Sequence, residues 1–503
     1  MSRKISLYLI VLVVYLLGIY GKPAAVRAEA LDVLRRVGMF NPMANVLDPI
    51  HQAIPKLRLR GLLRNQTWVY AEGKTGATAT HRQRKNDFDQ IEWLGELEFR
   101  YRLTNRISLG GVTNYRYDAV YDWEPKSGLA KGGGQIRDLE KEYYYTTKQI
   151  LRELYADIFA GNWYFRVGKQ QVVLGKMDFR VVDIINPTIQ WQGPAEVVDN
   201  YKFLRIPTWM VNALWTKGTF NFRTIWIPDF EESQGLLPGM GESPFPYNPR
   251  IHDHRPYRLD KPPQNPANSE IAFLLDWLTP IEWKALGSWE LSYGYFYNWN
   301  DNPTIFQRAP RISQAPEAEF TRLHQHMVGL VRSFWWLDRG WDFRLENLFT
   351  QNLYVPTRGE LDPLRRGYLL PGRDGVTRIN TNFLAFYLNT YIHKDWTVMT
   401  IFANIHAFKY DQPDMMPLER DETFVVLNIS HPFEYFDDRL TLYNTYYNYF
   451  NQGQGKNRLG IKFVLGDYVS LNAEYYAFWG HSNDFVGRWD KWDVFKFNIS
   501  YEF

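Results

Sequence analysis

The last nine residues of the chain, Phe495-Lys496-Phe497-Asn498-Ile499-Ser500-Tyr501-Glu502-Phe503, alternate without a break. Phe495, Phe497, Ile499, Tyr501 and Phe503 share one face of a period-2 strand, and Lys496, Asn498, Ser500 and Glu502 share the other. An apolar face backed by charges and amides suits a strand standing between lipid and water, the wall of a transmembrane β-barrel. The same pattern also serves a half-buried edge strand of a soluble sandwich, so the rest of the chain has to decide.

The pattern recurs. From Glu96 to Asp118, Leu97, Phe99, Tyr101 and Leu103 alternate with Glu96, Glu98, Arg100 and Arg102. Thr104-Asn105 then predicts a turn, after which Ile107, Leu109, Tyr115 and Tyr117 oppose Ser108, Asn114, Arg116 and Asp118. Carboxylates and guanidiniums at every second position cannot face hydrocarbon, so this face lines a wet lumen. Residues 289–300 and 440–450 repeat the arrangement. Segments of this type bounded by turn residues give about eighteen strands, with sixteen as the alternative because 206–230, 269–278 and 421–431 are weakly patterned. Short connections are expected at Thr104-Asn105, Gly161-Asn162, Lys217-Gly218, Asp338-Arg339-Gly340, His393-Lys394-Asp395 and Gly466-Asp467. Long ones are expected through 71–89, 119–149, 175–205, 229–268, 301–321 and 355–377. Alternation of short and long connections is the habit of outer-membrane barrels, with short periplasmic turns and long extracellular loops.

The N-terminus predicts export. Arg3 and Lys4 precede an apolar run from Ile5 to Tyr20, and Val26-Arg27-Ala28 offers a cleavage site, so 1–28 reads as a secretory signal peptide. Its removal takes four basic residues from the 58 and none of the 55 acidic ones, so the remaining chain is near neutral and has no charge excess to attract nucleic acid. Residues 29–56 read as a periplasmic segment or small plug, and 57–503 as the barrel. The absence of cysteine excludes disulfides, thiolate metal sites and covalent haem attachment. The aromatic content of 17%, with 33 Tyr and 19 Trp, suits girdles at two membrane interfaces.

Two resemblances add to this. The terminal Phe503, with Tyr501 before it, resembles the sorting signal of bacterial outer-membrane barrels, which implies lipid and the barrel assembly machinery as partners. Residues 151–187 contain LRE-x-Y-x-D (Leu151 to Asp157), a G-x-W turn (Gly161, Trp163), R-x-GKQ-x-V (Arg166 to Val172) and R-x-x-D-x-x-NP (Arg180 to Pro187). This block resembles a family of Gram-negative outer-membrane barrels catalogued as a conserved domain of unknown function. The match is most specific at Gly168, Lys169, Gln170, Arg180, Asp183, Asn186 and Pro187, and it departs at Leu174-Gly175-Lys176, where an aromatic residue, a glycine and often an acid are expected. The resemblance covers under a tenth of the chain. It implies a barrel of porin or exporter type, leaves room for periplasmic or inner-membrane transport partners, and brings no substrate and no catalytic residues.

The third long loop is the candidate constriction, with Lys176, Asp178, Arg180, Asp183 and Asn186 as its site residues, because opposed charges across a narrow pore set selectivity. Arg180 and Asp183 are alternatively a pair that pins the loop to the wall. Glu96, Glu98, Arg100, Arg102, Arg116, Arg166 and Gln170 are the expected lumen wall. His252 and His254 in a proline-rich loop, and His324 and His326 on one strand face, do not make a convincing metal site, the latter two being expected in the lumen or at its rim. No catalytic constellation stands out, and neither a cofactor nor a metal is expected. The reading is an outer-membrane channel passing small solutes through a mixed-charge aqueous lumen. The alternatives are an export conduit for a lipid or polymer, and a barrel sheath for an electron-transfer cytochrome.

Overall fold

The computed structural model describes residues 41–71, 88–119, 150–177, 181–188, 201–233, 258–263, 265–280, 288–307, 316–356, 373–393, 395–410, 420–434, 439–481, 486–487, 490 and 493–503. Residues 1–28, read above as a signal peptide, and Asp178, Arg180, His252 and His254 lie outside them.

Among the described residues, twenty-one strands form. In chain order they are β1 (Leu57–Tyr70), β2 (Phe88–Arg102), β3 (Ile107–Asp118), β4 (Leu151–Ala160), β5 (Trp163–Gln170), β6 (Thr208–Lys217), β7 (Phe220–Ile227) and β8 (Arg258–Asp260). There follow β9 (Glu270–Leu278), β10 (Glu290–Trp299), β11 (Thr304–Gln307), β12 (Pro316–Glu319), β13 (Arg322–Trp336), β14 (Arg339–Pro356) and β15 (Val376–His393). The last six are β16 (Trp396–Phe408), β17 (Asp421–Pro432), β18 (Leu440–Tyr449), β19 (Gln454–Leu465), β20 (Val469–Trp479) and β21 (Val494–Glu502). Eighteen of them form one sheet in which each wall strand pairs antiparallel with the next, and β1 pairs with β21. The sheet is thus a closed barrel with no free edge. The remaining three, β8, β11 and β12, make a small separate sheet from the loops after β7 and β10. The weakly patterned segments supply β6, β7, β9 and β17, which brings the wall to eighteen strands rather than sixteen.

Closure is made at the C-terminus. Phe503 exchanges backbone hydrogen bonds with Gly61 at 2.8 and 2.9 Å, and its ring fills the space a side chain at 61 would take, 2.2 Å from an ideal Cβ. Only glycine fits under that ring. Tyr501 stacks on Phe503 with centroids 5.5 Å apart. A short helix, α1 (Ala44–Ala53), sits at the same seam. Met43 N donates to Tyr501 Oη at 3.3 Å, Tyr501 Oη donates to Asn41, and Leu59 N donates to His51 Nε2 at 3.2 Å. Residues Leu57–Arg60 of β1 extend beyond the end of β21, so the helix supplies a partner to a donor the sheet leaves unpaired.

Short connections gather at the end of the barrel that holds this seam: 103–106, 161–162, 218–219, 337–338, 394–395 and 466–468. The long ones leave the opposite end, except that 279–289, between β9 and β10, spans eleven residues at the short-turn end. Residues 450–453, between β18 and β19, depart from the parity: they form a short turn at the long-loop end, closed by Gly453 at φ +60°. The turn expected at Asp338-Arg339-Gly340 falls one residue earlier, on Leu337 and Asp338, whose φ values of 52° and 55° are the left-handed pair of a tight hairpin.

Side-chain direction follows the alternation. Trp93, Leu97, Tyr115, Trp226, Phe402, Leu459 and Phe495 point outward and are exposed around the wall, as a lipid-facing band requires. His324 and His326 also face outward, contrary to the lumen or rim position expected for them. They lie on the same side as exposed Val328, with Tyr295 Oη 2.8 Å from His324 Nδ1 and Tyr293 Oη 3.1 Å from His326 Nδ1. The period-2 rule placed the two histidines on one face but could not say which face was inside.

Candidate functional site: the lumen and its inward loop

The inward faces of β1–β5 bring charges together across neighbouring strands. Register sets Arg64 opposite Leu94 and Leu94 opposite Arg116, so Glu92 on β2 reaches both guanidiniums, at 3.3 Å to Arg64 and 3.4 Å to Arg116. Lower in the wall, Asp157 on β4 lies 3.1 Å from Arg100 and 2.7 Å from Arg166, and accepts the Tyr164 hydroxyl at 2.6 Å. A third group sits on β19–β21, where Glu474 accepts from Arg458 Nε at 2.8 Å and lies 3.7 Å from Lys496 Nζ. In each case one carboxylate is bracketed by two cations. Buried carboxylates held this way are compensated twice, which burial demands.

The most exposed charged side chains beside these groups are basic. Arg60, Arg100 and Lys202 are at least half exposed along their side chains, Arg102 is exposed at the short-turn rim, and the exposed acid among them, Glu98, is only about a third exposed and pairs loosely with Arg60 at 4.0 Å. At that rim Lys56, Arg58, Arg100, Arg102 and Arg106 line a cavity of about 510 Å³.

The described residues of the connection between β5 and β6, 171–177, 181–188 and 201–207, turn into the barrel and touch both sides of it. The first half of the connection packs on an apolar wall. Val172, Leu174, Met177, Val181, Val182 and Ile185 join a single cluster with inward residues of β6, β7, β9, β10 and β13–β18. Glu346 on β14 holds the backbone there: its Oε1 accepts from Lys176 N at 2.5 Å and Met177 N at 3.2 Å, while Arg344 donates to the Lys176 carbonyl. The second half packs on the charged wall through α2 (Tyr201–Leu204). Phe203 lies under the guanidiniums of Arg64 and Arg116 at 5.0 and 5.5 Å, a cation–π arrangement that shields them. Lys202 Nζ meets Glu96 at 2.5 Å, and Arg152 donates to the carbonyls of Lys202 and Arg205 at 2.7 and 2.9 Å.

The expected site residues therefore separate. Glu96, Glu98, Arg100, Arg102, Arg116 and Arg166 all face inward; Arg116 and Glu96 are buried under α2, and the others keep contact with solvent. Gln170 is not a solvent-facing wall residue: it is fully buried and donates to the carbonyls of Arg166 and Met210 at 3.0 and 3.2 Å. Asn186 is likewise a buried staple, accepting from Val172 N at 2.7 Å and donating to the Ile206 carbonyl at 3.0 Å, which ties the two ends of the loop together. Asp183 is buried against Arg205 at 2.7 Å. That gives it a pin other than Arg180 and keeps its charge away from any aqueous path. Lys176, paired with Glu290 at 2.7 Å, stays partly exposed.

Sequence reasoning passed over Arg64, Glu92, Asp157, Lys202, Arg344, Glu346, Arg458 and Glu474. Glu92 and Asp157 carried a signal, since both continue the period-2 series of charges on their strands. Arg152 carried none. It is the extra residue of a β-bulge, where the partner of Val112 is Glu153 and that of Thr113 is Leu151, and a bulge turns a side chain off its expected face.

Fold and lumen together define a closed eighteen-stranded antiparallel β-barrel with an inward-folded third loop. No protein-family model matches the chain, and no curated protein matches it. Solved structures similar to it include Pseudomonas aeruginosa OccK11 (OpdR), at 11% identity and TM-score 0.45, over 89% of this chain and 96% of that one. The outer membrane protein opdK from Pseudomonas aeruginosa is similar at 8% identity and TM-score 0.48, over 90% of this chain and 99% of that one. Acinetobacter baumannii OccAB4 is similar at 8% identity and TM-score 0.47, over 89% and 98%. At these identities the likeness concerns the fold alone.

Proposed function

We propose that the chain is an outer-membrane channel for small solutes, with a mixed-charge aqueous lumen that favours anions. The observation that carries this is the repeated bracketing of one carboxylate by two cations on the inward face, with Arg60, Arg100, Arg102 and Lys202 in contact with solvent beside them. A surplus of one sign along a low-dielectric wall focuses the field and raises the local concentration of the opposite ion. The basic cavity at the short-turn rim, which this reading makes periplasmic, continues that sign to the exit.

Membership of the family that residues 151–187 resemble belongs to the same proposal. Its support is that Arg152, Asp157, Arg166, Gln170, Asp183 and Asn186 of that block hold wall and loop together. Outer-membrane lipid and the barrel assembly machinery follow as partners, the latter through Tyr501 and Phe503 at the closing seam. The loop residues Lys176, Asp183 and Asn186 fix the constriction by anchoring it rather than by presenting opposed charges to the solute.

The test is the reversal potential of the purified barrel in planar bilayers under a salt gradient. Anion preference is expected, and Arg100→Ala should weaken it because that guanidinium is half exposed while its carboxylate partner is not. The preference should shrink toward 1 M salt, where screening shortens to ~3 Å. A cation-selective or unselective wild-type channel overturns the reading.

A further inference from the structure

The charged wall accounts for an anion path, and the other half of the lumen is a surface of a different kind. Ile225, Leu274, Met327, Leu348, Ile401 and Val426 face inward, where a water channel gains nothing from aliphatic side chains. All are buried, and the residues that cover them are the loop's own Val172, Leu174, Met177, Val181, Val182 and Ile185.

The fastening of that cover is incomplete at one oxygen. Glu346 is only 1% exposed, yet only one of its carboxylate oxygens is satisfied, by the Lys176 and Met177 amides. The other, Oε2, is buried with no hydrogen-bond partner. A carboxylate desolvated on one oxygen opposes the packing it fastens, so the loop is held against the wall less firmly than an apolar contact of that size would hold it. The charges at the margin of this half are neutralised in pairs, Lys176 with Glu290 at 2.7 Å and Arg344 with Asp342 at 2.6 Å, unlike the cationic groups opposite. An apolar surface bordered by balanced charge does not attract an ion.

We propose that the apolar half of the lumen is a trough for uncharged apolar solutes, occupied in this state by the loop's aliphatic side chains in the solute's place. Entry of such a solute displaces residues 172–177 from the wall and breaks the Glu346 clamp. This goes beyond the anion channel and uses a separate surface.

The probe is N-phenyl-1-naphthylamine, an uncharged dye that an intact outer leaflet excludes. Cells expressing the protein should take it up several-fold faster than vector controls. Because the chain has no cysteine, Lys176→Cys with Glu290→Cys gives one unique pair, which a short bis-maleimide with a cleavable disulfide spacer can bridge. Bridging should return dye entry to the control rate, and cleavage should restore it in the same cells. Glu346→Ala, which removes the clamp, should speed entry further. If that variant fails to assemble, the bridged pair still decides. Dye entry at the vector rate, or unaffected by the bridge, in cells whose extracted protein conducts ions overturns the trough and leaves the anion channel standing. Bridge-sensitive dye entry by a barrel with no anion preference supports the trough and sinks the other reading.

Discussion

On β1–β5 and β19–β21 the inward side chains meet as two cations around one carboxylate, whereas on β7, β9, β10 and β13–β17 they meet largely as aliphatic side chains under a loop. Both halves belong to one sheet with one alternation, and both are dense, but their packing has different physical consequences. The charged half is specified by partners: Glu92, Asp157 and Glu474 each need two cations brought from other strands, and each fixes the register that brings them. The apolar half is specified by shape and volume, and exchange of one apolar occupant for another costs little there. A wall built on paired charge is costly to alter and stays put, while a wall built on apolar contact can release what covers it.

The largest effect that tests this contrast is expected at Glu474. Its replacement by Gln takes away the carboxylate that buried Arg458 and Lys496 share, and removal of one member of a buried ion pair costs ~3–5 kcal/mol. Urea titration of the refolded barrel measures it, and a loss under 1 kcal/mol would remove the claim that charge fixes that half. Leu348→Ala on the apolar side should cost about 2–5 kcal/mol if the neighbours stay in place, and toward the lower limit if the loop settles into the space. Single-channel traces should show more open-state noise for this variant than for Glu474→Gln, and equal noise in the two would erase the difference between the halves. The smallest effect belongs to Arg60→Ala. The Arg60–Glu98 contact is 4.0 Å long with Arg60 74% exposed, so stability should change by no more than ~1 kcal/mol while the reversal potential moves toward cations. An unfolding shift larger than that would mean that exposed charge, too, holds the wall together.

Much of the barrel was legible because strand patterning is local. The alternations of 96–118, 289–300 and 495–503 assign outward and inward faces with no knowledge of neighbours, and β2, β3, β10 and β21 keep those faces. The loop's inward course was legible only by its rank, and its anchors were not. Gln170 and Asn186 read as lumen or constriction residues because they are polar, yet polar groups bury when backbone amides and carbonyls satisfy them. Arg152 was hidden by its bulge, and His324 and His326 by the ambiguity between the two faces of one strand.

The sequence by itself determined that the chain makes a two-faced, aromatic-rich β wall, because period 2, turn residues and a terminal aromatic strand are properties of neighbours along the chain. Only the tertiary structure decided that the wall closes at eighteen strands, that Glu474 finds Arg458 and Lys496, that Phe203 covers Arg64 and Arg116, and that half the lumen is apolar. These depend on strand register and on the placement of a loop across the barrel, where partners such as Lys176 and Glu346 lie 170 residues apart. Contacts at that separation leave no periodicity in the chain, since nothing local selects which inward residue will meet which.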